Sequence, residues 1–538
     1  MTTQHADAGE TQFAGLDELD LDDLLYGLQK GFMTSEDLVK TYLARIAEVN
    51  DKVRAVGCLN PDAVALAVER DEQRRGGKIL GQLHGIPVLV KDTFATVDKM
   101  DTTAGSYALV GAKYHRAATI IKRLEAAGAI ILGKANMTEW GMARTAACRH
   151  GWSAVHGQAL GGFVEDQDPH GSSSGNAIAA SMNLAAANIG GETCGSIIIP
   201  ASRNAVVGLK PTVGLTSRAG LVPINSEWDT AGPMTRWVKD SARILQVIAG
   251  KDELDPATQD IPFDTIPDYV ASCSVDGCQG MRIAVLRTGW WSLTEDAEYR
   301  SAFEDAVKVL GQLGAVIVDD VRFDRWAPDA EISAIFCQVL LKEAFEDFFG
   351  NLKVNPHNIR TISDLVEFTK RTPEEQYERL GAEGFEKARD VVGSSKCEVF
   401  LECKSKLEDL GDDLARLLDY TSCDVLLAPP MAQLPLSLGR LPAISVPMGY
   451  YRSSVFEMQG WRGGRERAAN TPFGILFTGR RFSEEKLIAC AYAFEQATME
   501  VNVAPGKLLV KPSTDITELL NHEALLADNS DRESEITP

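Results

Sequence analysis

An α/β fold is expected for this 538-residue chain: one large domain built on a buried sheet, with an added helical region. Three observations predict it. From Gly85 onward, short apolar runs alternate with helical patterns, as strands buried between helices do. Over about 297–420 helical periodicity and charge dominate, and strand-like runs then return. No linker rich in Pro, Gly or Ser separates two units, so a single domain is expected over 16–522.

Residues 1–15 and 523–538 are polar and unpatterned, which predicts disordered ends, the second of them acidic. Leu21, Leu24, Leu25 and Leu28, then Leu38, Tyr42, Leu43 and Ile46, recur at helical spacing, with a cap at Thr34–Asp37 between two helices. A strand is expected at 86–90, an amphipathic helix at 118–127, a strand at 129–132 and a helix of small residues at 177–187. Further strands are expected at 205–209 and 283–286. The helical region predicts helices at 302–313, 330–349, 361–368 and 372–418. Strands at 424–429, 441–446 and 472–477 and a last helix at 487–497 complete the chain.

Hydrophobic content of 45% with 24% charged residues describes a globular protein large enough to bury a catalytic group. A net charge of −22 argues against a nucleic-acid partner, which calls for a basic face. No run approaches the ~20 apolar residues that span a bilayer, so no membrane association is expected. The N-terminus has no apolar stretch of the secretory kind, and the chain is expected in the cytoplasm. Its ten cysteines are dispersed and lack metal-ligand spacing, which predicts reduced thiols and no metal site. No Walker loop or GxGxxG opening a helix is present, so no cofactor is expected. A homodimer is compatible with the chain.

Three segments carry chemistry. Lys91 ends the apolar run Gly85–Val90, and burial of such an amine lowers its pKa until it can serve as a general base. On this segment alone the lysine also fits one snorkelling from a strand end. Gly171-Ser172-Ser173-Ser174-Gly175 holds three hydroxyls between glycines, the pattern of a proton relay and equally of a helix cap. Gly190–Ile197 places a glycine before Ser196, so that successive N–H groups can converge on one point, as an oxyanion hole requires. An ordinary turn between a helix and a strand fits that segment too.

In this order and with these flanks, the segments resemble the amidase signature family. HGIPVLVKD, TTAGS, AAGAIILGKANMTEW, the serine-rich turn, ETCGSIIIPAS, VVGLKPTVGLTSRAG and WDTAGPM carry the resemblance over Gly85–Pro233. LPAISVPMG, GILFTGRRFSE and TSEDLVKTYLARIAEVN extend it to about Leu19–Ala497, most weakly over 297–420. The motifs lie closest to the branch of peptide amidases and fungal and bacterial amidases.

The resemblance implies an amidase signature domain, with its core signature at 85–240 and a twisted mixed sheet covered by helices on both faces. It implies a hydrolase of linear amide C–N bonds that works through a Ser-Ser-Lys triad and an acyl-enzyme, on a small-molecule amide. By motif, Lys91 matches the catalytic lysine and Ser196 the nucleophile. Ser172, 24 positions earlier, matches the bridging serine before a nonprolyl cis link. Backbone N–H groups of Thr193, Cys194, Gly195 and Ser196 match the oxyanion hole. Met137, Ser173, Ile198 and Asp229 match the substrate pocket, Asp229 as a structural hydrogen-bond partner. Ile198 stands where members that grip a carboxylate carry arginine, so a neutral linear amide is expected. From their position, Phe345, Phe348 and Phe349 are expected to wall the acyl pocket, and His84 to pack beneath the lysine loop.

Cys194 and Gly191 depart from the family pattern, where aspartate or glycine and threonine are common. Other readings stay open at this point: an acyltransferase that passes the acyl group to an amine, the amidotransferase subunit acting on charged transfer RNA, and a degenerate, non-catalytic member.

Overall fold

Apolar, β-branched runs form eleven strands that join in one sheet. They are β1 (Val56–Leu59), β2 (Pro87–Lys91), β3 (Ile130–Ala135), β4 (Ala187–Glu192), β5 (Val207–Lys210), β6 (Thr230–Thr235), β7 (Arg282–Leu286), β8 (Val316–Val321), β9 (Val425–Ala428), β10 (Ala443–Tyr450) and β11 (Pro472–Thr478). Their order across the sheet is β1-β3-β2-β4-β6-β5-β10-β11-β9-β7-β8. The pairs β3–β2, β2–β4, β9–β7 and β7–β8 are parallel and the others antiparallel, so the sheet is mixed. This computed structural model describes residues 15–287, 296–323, 330–431, 433–452, 458–460, 462–502 and 508–517. The expected disordered ends lie outside these residues, apart from Gly15.

Every residue of β2, β3, β4, β9 and β11 is buried, which is why β9 (VLLA) and the starts of β2 (PVLV) and β3 (IIL) read as apolar runs, whereas β4 (ANIGGE) carries no such signal. Successive side chains leave the sheet on opposite sides. Ile283 and Val285 join one core with Phe303, Leu310, Ile488 and Phe494, while Ala284 and Leu286 join another with Phe336, Leu340, Leu410 and Leu414. The helices Ala297–Gln312 and Glu484–Asn502 therefore cover one face, and Ala330–Gly350 and Glu398–Tyr420 the other. Thr34 and Asp37 form the expected capping box at the start of the helix Ser35–Val53.

Three expectations differ. The stretch expected as helix at 372–418 is broken into a 3-10 turn at Pro373–Glu375 and helices at Tyr377–Leu380, Glu383–Asp390 and Glu398–Tyr420, with Gly381 (φ 67°) and Gly393 (φ 110°) between them. The helix expected at 177–187 spans only Ser174–Ser181, because Asn183 takes a left-handed conformation (φ 50°) and its amide donates to Leu16 O. The alanine-rich run then continues as β4. The helical region contains β8, whose Val316-Ile317-Val318 start pairs parallel to β7 and places this β-branched run at the sheet edge.

A third core joins this region to the strand layer. Trp140 is fully buried with its ring 5.1 Å from Phe345, 6.2 Å from Phe349 and 5.9 Å from Phe385. Beside it, buried Arg144 donates from Nη1 to Glu139 Oε2 (2.8 Å) and Glu375 Oε2 (3.0 Å), and from Nη2 to Glu375 O (2.6 Å). Burial, and then Glu375 beside it, hold the Glu139 carboxyl well above the usual carboxylate range. Among the described residues no helix is long and apolar enough to cross a membrane, and all ten cysteines are free thiols.

Candidate active site

Strands β2 and β4 are parallel neighbours, so their carboxyl ends open on the same edge of the sheet, a common place for a site in α/β proteins. Lys91 is the last residue of β2 and is 3% exposed. Its Nζ donates to Ser172 Oγ (2.7 Å) and to Gly191 O (2.8 Å) near the end of β4. Burial pushes the amine down to about 7, against the opposing pull of Asp229 and Glu192. Near neutral pH an appreciable share of Lys91 is therefore an uncharged amine. His84 precedes β2 and lies at the opposite end of that strand from Lys91, against Arg70, Leu80 and Gly128. It accepts from Leu80 N at Nδ1 (3.2 Å), so its Nε2–H donates to Arg70 O (2.9 Å), and neither nitrogen is left for proton transfer.

Ser172 reaches Lys91 because the chain before it turns sharply. His170 and Gly171 both have positive φ (56° and 60°), and a Cβ on Gly171 would lie 2.4 Å from Pro200 Cδ. Ser173 stands at the N-cap of the helix Ser174–Ser181, yet its hydroxyl caps nothing. It donates to Gly191 O (2.9 Å) and accepts from Gly191 N (3.2 Å). Ser173 thus does not take the helix-cap role open to this triplet: Ser172 Oγ meets Lys91 at the end of β2, and Ser173 Oγ meets Gly191 near the end of β4. No cis peptide bond occurs among the described residues, so the link after Ser172 is trans, contrary to expectation.

Ser196 lies on the turn from β4 into the short helix Ile198–Arg203, a turn between a strand and a helix. Glu192 holds the turn: its Oε2 accepts from Ile197 N (2.6 Å) and Ile198 N (3.0 Å). Ser196 O accepts from Ser173 N (3.1 Å), which ties the two serine turns together. Gly195 has φ 80°, a conformation that favours glycine. Among the described residues, the N–H groups of Thr193, Cys194, Gly195 and Ser196 donate to no protein acceptor, and Ser196 Oγ makes no hydrogen bond. Cys194 is solvent-accessible but closely surrounded by protein, and the resulting desolvation pushes its thiol up to about 11.

Asp229 is held at both oxygens. Oδ1 accepts from Thr193 Oγ1 (2.6 Å), and Oδ2 from Ile224 N (2.8 Å) and Asn225 N (2.9 Å), the pattern of a structural partner. Burial raises its pKa. Lys91, Ser172, Gly191, Thr193 and Asp229 line one cavity of about 30 Å³. Met137, Ser173, Cys194, Gly195, Ser196 and Ile198 do not line it. Met137 is fully buried in the Trp140 core, and Ile198 in the core of Trp228 and Phe336. Phe345 and Phe349 are buried and Phe348 partly buried around Trp140, and Ile224 and Gly141 link that core to the cavity. A Cβ on Gly191 would lie 3.8 Å from Lys91 Cδ, so glycine here leaves room beside the amine while its carbonyl holds it.

Glu192 and the Arg144 cluster carry no local sequence signal and emerge only from the structure. His150, Asp168 and His170 also come together, with possible ligand atoms within 4.8 Å of one another. His150 Nδ1 faces Asp168 Oδ1 (3.0 Å), and Arg462 Nη1 lies 2.6 Å from His150 Nε2, so a guanidinium already stands against this group.

A buried lysine bonded to a serine on a glycine turn thus stands at the ends of parallel strands in an α/β sheet. The family described as Amidase matches residues 37–488. A putative amidase from Arthroderma benhamiae is 40% identical over 514 residues, covering 89% of this chain and 86% of the relative. A probable amidase from Arabidopsis thaliana is 34% identical, covering 90% and 91%. The crystal structure of the peptide amidase from Stenotrophomonas maltophilia superimposes with a TM-score of 0.82 at 36% identity, over 91% of this chain and 98% of that one. The chain belongs to the amidase family and is a hydrolase acting on amide C–N bonds.

Proposed function

We propose that the chain hydrolyses linear amides with no charge beside the scissile bond, through Ser196 as nucleophile, Ser172 as relay and Lys91 as base. The observation that carries this reading is the 2.7 Å contact of buried Lys91 Nζ with Ser172 Oγ. With the amine neutral, the Ser172 hydroxyl donates to the Nζ lone pair while Nζ keeps donating to Gly191 O. Substrate binding turns Ser196 Oγ toward Ser172. Ser196 attacks the carbonyl as its proton passes to Ser172 Oγ, and the Ser172 proton passes to Lys91.

The negative charge that develops on the carbonyl oxygen is taken by the unpartnered N–H groups of Thr193, Cys194, Gly195 and Ser196. The relay then runs backwards: the C–N bond breaks, the leaving nitrogen takes the proton and ammonia or an amine departs. Water repeats the cycle on the acyl-enzyme and returns Ser196. Among the described residues Lys91 is the one cationic side chain that lines the cavity, which supports neutral surroundings for the scissile bond, and ten free thiols support a reducing, cytoplasmic compartment.

Ammonia release from neutral aliphatic, aromatic and C-terminal peptide amides tests the reading, with kcat/KM followed from pH 5 to 9. The base must be neutral, and the neutral fraction of an amine grows with pH. The rate is therefore expected to rise through a midpoint near 7, where Lys91 titrates, and to level off above it. At one pH unit below the midpoint it falls to about a tenth of the plateau. A rate that falls as pH rises through 7 overturns Lys91 as the base.

A further inference from the structure

A second, larger cavity of about 510 Å³ lies beside the catalytic one. The segment from Gly220 to Ser226 borders both, and Leu221 lines both. This segment is held in place by Val222 N donating to Thr93 O (2.8 Å), two residues beyond Lys91. Two aromatic rings, Tyr114 and Phe348, line the larger cavity with their centroids 6.0 Å apart. Tyr114 is anchored by its hydroxyl, which donates to Thr102 O (2.9 Å).

Arg116 is the unusual member of this wall. Its Nη1 is buried and has no hydrogen-bond partner, and among the described residues no ion pair engages its guanidinium. Asp347 lines the same cavity, but its Oδ1 accepts from Asn351 Nδ2 (3.1 Å) and forms no ion pair with Arg116. Arg144 and Arg218, by contrast, are met by carboxylates, Arg144 by two glutamates and Arg218 by Asp255, and Arg236, whose Nη1 also lacks a hydrogen bond, still has Asp17 at 3.9 Å. A buried guanidinium nitrogen without an acceptor is costly, and its planar fork matches a carboxylate. The cavity's volume falls in the range of small-molecule sites.

We propose, on the basis of the amide-hydrolysing centre above, that this cavity is an outer subsite taking the far end of the acyl group, and that Arg116 binds a carboxylate there. The substrate is then neutral around the scissile amide and anionic at its far end. The apolar or aromatic body of the acyl group lies along Leu221, Tyr114 and Phe348, and its terminal carboxylate meets the Arg116 fork. The cavity beside Lys91 sets the surroundings of the scissile bond and the outer cavity those of the far end of the acyl group, so the two requirements do not conflict.

The test uses the full chain and monoamides of aliphatic and aryl-substituted dicarboxylic acids of graded length, each beside its methyl ester. Wild type is expected to favour the acid over the ester by about 10–100-fold in kcat/KM at the best length, and Arg116→Gln to abolish that preference while leaving ester turnover unchanged. Equal use of acid and ester by wild type overturns the subsite while leaving the hydrolase reading intact. So does an equal loss of both in Arg116→Gln. A measurement that needs no turnover is calorimetric binding of the dicarboxylic acids to Ser196→Ala. Affinity at least tenfold weaker in Ser196→Ala/Arg116→Gln is expected, and equal affinity overturns the proposal. Absence of ammonia from every acid and ester, with the carboxylate contrast in binding retained, sinks the hydrolytic reading alone.

Discussion

Ser196→Ala is expected to lower kcat for amide hydrolysis by about ten-thousand-fold or more, with KM nearly unchanged, because attack on the carbonyl then has no oxygen to deliver it. Lys91→Ala is expected to cost about a hundred- to ten-thousand-fold, the range of a lost general base. Its residual rate also loses the rise through pH 7, since the group that titrates there is gone. Ser172→Ala interrupts the relay between them and is expected to resemble Lys91→Ala more than a surface variant. Steady-state ammonia release with thermal unfolding alongside separates these losses from instability. Lys91→Ala leaves Ser172 Oγ and Gly191 O without their shared donor, at a cost of about 1–3 kcal/mol. A variant with wild-type kcat at Ser196 or Lys91 removes that residue from the chemistry.

Arg144→Met is expected to produce the largest loss of stability, about 3–5 kcal/mol, and to reduce activity with it. The guanidinium is 1% exposed between carboxylates that are 1% and 0% exposed, and its removal leaves a buried negative charge unpaired. The carboxylate of Glu375 is further held by the Ser106 hydroxyl (2.7 Å) and Tyr107 N (2.9 Å), so it cannot retreat to water. The cluster pins the interior of the helical region, at Glu375, to residues 139–144, and Gly141 of that stretch lines the cavity beside Lys91. Chemical denaturation measures the loss. Adding Glu375→Gln to Arg144→Met is expected to restore part of it, because the uncompensated charge goes. Full stability in Arg144→Met alone contradicts this account of how the helical region is fastened.

Lys91, the serine triplet and the Ser196 turn are legible in the sequence because each is a short pattern of glycine, hydroxyl and apolar residues whose local geometry follows from residue type. The same holds for the Thr34–Asp37 cap and for the buried strands β2, β3, β9 and β11, but not for β4 and β6, whose glycines and polar residues hide them. What sequence cannot supply is partnership over distance. Glu375 meets Arg144 across 231 positions, and neither residue type nor spacing marks them as a pair. Glu192 looks like one more surface acid until the turn folds back and brings two N–H groups onto its oxygen. Ser173 has the residue type and place of a helix cap, and a tertiary contact with Gly191 decides otherwise. The Val316–Val321 run is too short to outweigh the helical patterns around it, and only pairing with Arg282–Leu286 makes it a strand.

The most direct test of the lysine-activated serine is covalent labelling with a fluorophosphonate, followed by peptide mass spectrometry on wild type and Lys91→Ala at pH 8. The account predicts a single adduct on Ser196 in wild type, and on the same timescale none in Lys91→Ala. An adduct on Cys194 instead, or equal labelling of Ser196 in both proteins, would contradict it.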